Sequence, residues 1–402
     1  MATPNSVTDV RDTADKVALL VGGKAHDEWE SYEIDSDLLT PADAWRVRLG
    51  LSEDSLLPAN VTPGAPVQVR IGADLVMTGR IDDVRVRLDK RSHSLEILGR
   101  DNAATLLDCS APLTGGRKLD LAEIIAKVVR PLYPTGGLTK IRIDADKAVT
   151  RQREKINVEP GDTAWDTLAH IAEANGLWPW FEPDGTLVIG GPDYSDATNP
   201  PVAVLVLNPR KVGEPNGTGE TNVESMERRE SVAERYSTIT VLGQTHGTEE
   251  EDGKNGLKSS AVDADLEARW PRRKIVTDYE ADSVAVCRSR SQKLLADSRL
   301  KGFELRVEVQ GHHINAPTMP GHGKLWTPGQ RVLVYAPPVG VVGTLFLMAR
   351  TFCLSRGGGT TTRLSLREDK VWILEAHPHK RKHRKGKNYT PDVTDETGGA
   401  DE

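Results

Sequence analysis

The chain has 402 residues, 38% apolar and 28% charged, with 36 glycines spread along its length, which predicts a turn-rich globular protein of two to four packed units. A formal charge of -7 argues against a protein that wraps nucleic acid, because phosphate binding needs a sustained excess of Lys and Arg on one surface. No apolar run approaches the ~18 residues that cross a bilayer, and Met1 to Asp15 is polar, so neither membrane insertion nor a signal peptide is expected and folding in a cytosol is.

After an arm over residues 1–14, Val17 to Val21 reads as a buried strand closed by Gly22-Gly23. Tyr32 and Ile34 stand two apart in the next one. Trp45, Val47 and Leu49 then alternate with Arg46 and Arg48, which places one face inward and the guanidinium groups outward. The same period of two recurs in Val67, Val69 and Ile71, in Val84, Val86 and Leu88, and in Leu95 and Ile97. Short strands at this spacing predict a small antiparallel barrel over residues 15–110, with Asp101 capping a helix through Ala103, Ala104, Leu106 and Leu107.

An α/β insert is expected over 111–195. Asp120 is an N-cap candidate, Leu121, Ile124, Ile125 and Val128 trace one helical face, and Pro131 ends it. Trp165, Leu168, Ala169 and Ala172 mark a second helix from about Thr163 to Asn175-Gly176. A hairpin follows, with Trp178, Trp180 and Phe181 before the Pro183-Asp184-Gly185 turn and Leu187 to Ile189 after it.

Asn199-Pro200-Pro201 and the polar stretch Pro209 to Thr221 read as a boundary. Beyond it, Thr238 to Leu242 alternates, and after a polar excursion a basic helix is expected with Val284, Cys287, Leu294 and Leu295 inward. Phe303, Leu305, Val307 and Val309 give the clearest strand, and Val332 and Val334, Leu345 and Leu347, and Leu364 and Leu366 continue the pattern. A second barrel over 196–375, with a polar and helical excursion at about 245–300, is the economical reading. From 376 to 402 the chain has too few apolar residues to offset ordering entropy and is expected to be disordered. The fold class is therefore β-rich α+β, two small antiparallel barrels flanking an α/β insert.

Gly99-Arg100-Asp101 leading into Thr105-Leu106-Leu107-Asp108-Cys109-Ser110, with Gly323-Lys324-Leu325-Trp326-Thr327-Pro328-Gly329 and Val332-Leu333-Val334, resembles the Mu-type baseplate hub proteins of contractile-tailed phages over about residues 15 to 372. The resemblance implies a homotrimer whose duplicated barrels build a ring of six similar units. Its implied partners are the tail tube protein, the central spike protein and other baseplate proteins, with DNA only in transit, and its implied location is the virion, assembled in the host bacterial cytoplasm. No residue-level repeat between the halves is visible. Ile156 to Thr163, followed by Trp165, Leu168 and Ala169, is similar to the LysM glycan-binding module, which would span about 156–190. Helix capping accounts for the Pro-Gly-Asp-Thr turn by itself. Glycan contact through Gly161, Asp162, Thr163, Trp165 and Trp178 is the sharper alternative.

Residue patterns for chemistry are sparse. Cys109, Cys287 and Cys353 lie far apart with no CxxC spacing, which predicts buried reduced thiols. His312, His313 and His322, even with Cys353, match no zinc template, and His377, His379 and His383 sit in the tail, so no metal or other cofactor is expected. Phosphate-loop, dinucleotide and serine-hydrolase motifs do not occur in a fitting context. Asp82 with Asp83 and Glu249 to Asp252 read as solvated faces, and no acid-base pair can be nominated. A structural, non-enzymatic hub leads. A peptidoglycan-binding or lytic tail module is the alternative, and a DNA-binding protein resting on Lys380 to Lys387 ranks last.

Overall fold

The computed structural model describes residues 15–51, 58–90, 92–112, 115–116, 121–133, 140–144, 156–158, 161–173, 177–207, 222–244, 255–278, 281 and 283–372. The N-terminal arm, the Asp120 and Asn175-Gly176 caps, Pro160, Pro209 to Thr221, Glu249 to Asp252 and the basic and acidic tail lie outside them.

Seven strands come first: β1 (Val17–Val21), β2 (Lys24–His26), β3 (Ser31–Asp37), β4 (Ala44–Gly50), β5 (Pro66–Ile71), β6 (Asp74–Leu88) and β7 (His93–Asp101). Their alternation is the cause of their pairing. Leu19, Val47, Val69 and Ile97 turn inward to one core while Arg46 and Arg48 stay outside, as expected. At the end of β7, Asp101 accepts the Ala103 N–H at 2.9 Å and so starts helix α1 (Ala103–Asp108).

Next come β8 (Gly115–Gly116), α2 (Leu121–Val129), β9 (Ile141–Ile143), β10 (Ile156–Asn157), α3 (Ala164–Glu173), β11 (Trp178–Phe181) and β12 (Leu187–Gly190). The expected apolar faces hold: Ile124, Ile125, Val128, Leu168 and Ala172 are buried together with Leu187 and Ile189. Pro131 turns the end of α2 into a 3-10 turn. The hairpin β11–β12 is joined by parallel β9.

The remaining elements are β13 (Ala203–Val206), β14 (Ser225–Glu230), β15 (Thr238–Gln244), β16 (Asn255–Val262), α4 (Ala264–Arg269), β17 (Arg273–Thr277), α5 (Val284–Gly302), β18 (Phe303–Gln310), β19 (Arg331–Ala336), β20 (Val341–Ser355) and β21 (Gly359–Glu368). β15, β16 and β17 form a separate sheet, against which Val286 and Cys287 of α5 pack. Val284, expected inward, is 47% exposed because it opens the first turn of α5, just after the capping Ser283.

The two expected barrels are not two closed sheets. A single 13-stranded sheet runs β14-β18-β21-β20-β3-β4-β7-β6-β5-β1-β2, with β19 and β13 branching from β20. The physical reason is the length of β20. β19 covers only its first part, Val341 to Phe346, and β3 takes the edge left free, pairing antiparallel from Ala349↔Asp37 to Leu354↔Tyr32. One apolar core accordingly runs through both halves, from Leu19 and Val47 to Leu305 and Val332.

A repeat absent from residue identities is present in the topology. The order β3-β4-β7-β6-β5-β1 recurs as β14-β18-β21-β20-β19-β13. Both long strands carry a bulge near the middle, between Ile81 and Asp83 and between Leu347 and Ala349. Even an ion pair recurs, Arg46 with Glu33 at 2.8 Å and Arg306 with Glu227 at 3.8 Å. The units differ in one pairing, since β1 is antiparallel to β5 whereas β13 is parallel to β19.

Candidate assembly site

The joint between the two units is built around a buried charge. Arg350 of β20 is 6% exposed; it donates to the Ile34 carbonyl oxygen of β3 at 2.9 Å and lies over the Phe352 ring at 4.0 Å. Its Nε has no hydrogen-bond partner. Burial lowers its pKa to about 10, against the opposing pull of Asp43 and Asp35. Those carboxylates are held by backbone donors, Asp43 by the Asp37 N–H at 3.0 Å and Asp35 by the Ala44 N–H at 2.6 Å. Burial pushes Asp43 up to about 6, and burial with the Asp43 charge holds Asp101 well above the usual carboxylate range. Burial thus raises the carboxylates, while the guanidinium, at about 10, stays charged at neutral pH, which suits a structural lock.

His312 also packs on Phe352, with ring centroids 4.6 Å apart. Its Nε2 is 2.8 Å from the Tyr32 hydroxyl and its Nδ1 3.0 Å from the Thr362 hydroxyl, so β3, β21 and the loop after β18 meet on one ring. Burial lowers this imidazole to about 4. His313 contacts Asp15 at 2.6 Å, which raises its pKa, and Asp74 at 3.4 Å. His322 Nδ1 accepts the Ala316 N–H at 3.3 Å, and Cys353 Sγ accepts from Arg363. Each histidine of the cluster thus has a packing or hydrogen-bonding task, and among the described residues no group of three or more His, Cys, Asp or Glu is placed to hold a metal ion.

A cavity of about 590 Å³ opens where the insert meets both units, lined among others by Trp165, Trp180, Trp326, Phe346, Arg350 and Trp372. Of the residues considered for glycan contact, Trp165 lines it and Gly161, Asp162, Thr163 and Trp178 do not. Gly161 and Asp162 are exposed, with Gly161 at φ +108°. Thr163 caps α3, accepting the Asp166 N–H at 3.0 Å. Trp165 is buried in the insert core. Trp178 points away into the seam, where its indole donates to the Leu38 carbonyl at 2.7 Å and meets Trp372 edge-on.

Sequence reasoning missed Arg350 and its carboxylates. A signal existed: Arg350 stands in the inward register of the apolar run Leu347 to Phe352, where a cation needs buried partners. It also missed Arg331, which is buried and bridges Asp369 at 2.7 Å and Asp196.

Comparison with known proteins puts this architecture in the class of phage tail structural proteins. Residues 16–101 match the family model of the N-terminal domain of Mu phage baseplate assembly protein GpP-like proteins, and residues 103–191 the second domain of gp44-like baseplate hub proteins. Residues 235–295 match the third domain of NMB1110-like tail proteins, and 297–371 a tail protein C-terminal domain. The tail protein of Neisseria meningitidis MC58 is 37% identical, with a TM-score of 0.74 over 89% of this chain and 97% of that one. Baseplate hub protein gp44 of Escherichia phage Mu is 24% identical over 380 residues, 92% of each chain. The 43 kDa tail protein of prophage MuSo2 from Shewanella oneidensis shares the fold at 22% identity, with a TM-score of 0.74 over 89% of this chain and 99% of that one. The chain belongs to the Mu-type baseplate hub family of phage tail proteins, and its relatives are structural components of the virion.

Proposed function

We propose that this protein is the hub subunit of a contractile tail, that three copies close into a ring joining the tail tube to the central spike, and that DNA passes through the opening. The carrying observation is the β20–β3 joint: two units of one strand order already meet edge to edge within a chain. Three chains of two such units offer six similar positions to a six-fold tube and three identical ones to a three-fold spike. Each unit acts as one barrel-like wall element, and the insert over 111–195, LysM-like in its Gly161 to Trp165 turn, braces the seam. The role is scaffolding without turnover. A net charge of -7 suits a wall that DNA slides past without sticking. Assembly takes place in the host cytoplasm, before packing into the virion with other baseplate proteins. Sedimentation of purified protein tests this: three chains per particle are expected, and a strict monomer at high concentration refutes the ring.

A second reading is contact with peptidoglycan, favoured by the exposed Gly161–Asp162 turn and the tryptophan-lined cavity. A peptidoglycan pull-down separates the two. Retention lost in a Trp165→Ala variant that still folds promotes this reading, and no retention retires it.

A further inference from the structure

Besides the end strands β2 and β13, two stretches of the main sheet are paired on one side only among the described residues. Among the described residues β14 pairs with β18 alone. Beyond Ile81, β6 pairs among the described residues with β7 alone, because β5 and the turn before it reach no further than Ala65 opposite Ile81. The consequence is visible in exposure: Val86 and Leu88, expected to face inward, are 45% and 72% exposed.

These two edges correspond, in the repeated strand order, to the two strands that pair inside the chain. β6 occupies the place of β20, and β14 that of β3. The bulges fix the register. Ladder pairing skips Asp82 in β6 and Met348 in β20, so Val84, Val86 and Leu88 correspond to Arg350, Phe352 and Leu354. On the other side, Trp45 faces Gly99 and Leu305 faces Leu366, each opposite the last residue before a bulge. Through those strands Tyr32, Glu33 and Ile34 correspond to Met226, Glu227 and Arg228. Phe352 is fully buried beside β3, whereas its counterpart Val86 has, among the described residues, no strand on the side away from β7.

We infer that β14 of one copy pairs antiparallel with residues 82–88 of β6 of the next copy, in the register Leu88↔Met226, Arg87↔Glu227, Val86↔Arg228, Arg85↔Arg229 and Val84↔Glu230. The inference rests on the ring reading and names its interface. It repeats between chains the joint that β20 and β3 make within one. Leu88 and Met226 form an apolar pair, as Leu354 and Tyr32 do. Arg87 faces Glu227, and the like-charged Arg85 and Arg229 have Glu227 and Asp83 as diagonal neighbours. The Arg228 guanidinium is held by the Val339 and Gly340 carbonyls, which leaves its stem for Val86. Because the contact joins two different edges, it is heterologous and produces a ring when the rotation closes.

Paired cysteines test the register. Under oxidation, Leu88→Cys with Met226→Cys yields covalent multimers on a denaturing gel. Neither the single variants, which control for the native cysteines, nor Leu88→Cys with Glu227→Cys, one residue out of register, does so. In parallel, Val86→Lys with Leu88→Lys, both at exposed positions, leaves the melting temperature of the single chain unchanged and abolishes the multimer in sedimentation. A wild-type multimer that survives the double lysine variant and gives no in-register cross-link leaves the ring standing and overturns this edge pairing. A wild-type protein that stays a single chain overturns both.

Discussion

The Arg350 guanidinium donates a hydrogen bond to the Ile34 carbonyl oxygen at 2.9 Å, from β20 to β3, across the line where two units of the same strand order meet. That contact carries the logic of the molecule. A buried cation is tolerated there because Asp35 and Asp43 lie close by and the Phe352 ring lies beneath it. The joint is therefore fixed in register as well as held together, since a one-residue slip turns Arg350 to the opposite face.

Replacing Arg350 with Ala strands the carboxylates and removes the cross-joint bond. A loss of about 1.5–3 kcal/mol is expected, the range for a hydrogen bond made by a charged group. Urea unfolding checks it, with Arg350→Lys recovering only part of the loss because an ammonium lacks the planar fork of donors.

Acidification separates His312 from Asp43. Folding holds His312 at about 4, below its ordinary 6.5, so the stabilisation of its neutral ring is complete above 6.5 and disappears as pH falls toward 4. That amounts to on the order of 3 kcal/mol. His312→Gln keeps an acceptor and a donor on the amide but does not titrate. Its stability, followed by thermal melting from pH 7 to pH 4, falls less than that of the wild type.

Asp43 has the opposite sign. Its folded pKa of about 6 lies above its ordinary 3.8, so its contribution is complete below 3.8 and disappears as pH rises through 6. Asp43→Asn retains an acceptor for the Asp37 N–H and is expected to match or exceed wild-type stability above pH 6, with a flatter profile between 4 and 6. Denaturant midpoints at pH 4 and pH 7 measure the difference.

Period-two alternation made most strands legible, and the 3.6-residue period made both helices of the insert so, because core-facing residues repeat in register with the backbone. What alternation does not carry is where an edge finds its neighbour. Val84, Val86 and Leu88 have the same pattern as Val67, Val69 and Ile71, yet the latter are buried, whereas Val84 is half-buried and Val86 and Leu88 are open, a difference set by the length of β5. The same limit hid the merger of the two sheets, since nothing in Tyr32 to Asp37 names β20 as its partner. Repeated topology was equally hidden, because Trp45 and Leu305, or Tyr32 and Met226, share a direction and not an identity. Of the glycan-contact candidates, Thr163 was readable as a cap, whereas the placement of Trp178 in the seam depends on Leu38 and Trp372, far away in sequence.

Gly99 marks how tightly the first unit is packed. A Cβ there would lie 2.2 Å from the Arg80 carbonyl oxygen and 2.4 Å from the Trp45 ring, neither of which has room to move. Gly99→Ala is expected to cost roughly 3 kcal/mol, the upper part of the overpacking range, whereas Gly357→Ala, with open space around it, is nearly neutral. Thermal melting of the two variants makes the comparison.

Electron microscopy of the purified protein puts the ring most directly to the test. Class averages with three-fold symmetry around a central opening, at three times the 43.9 kDa chain mass, are predicted. Single 43.9 kDa particles without an opening, under conditions where the chain is folded, would contradict it.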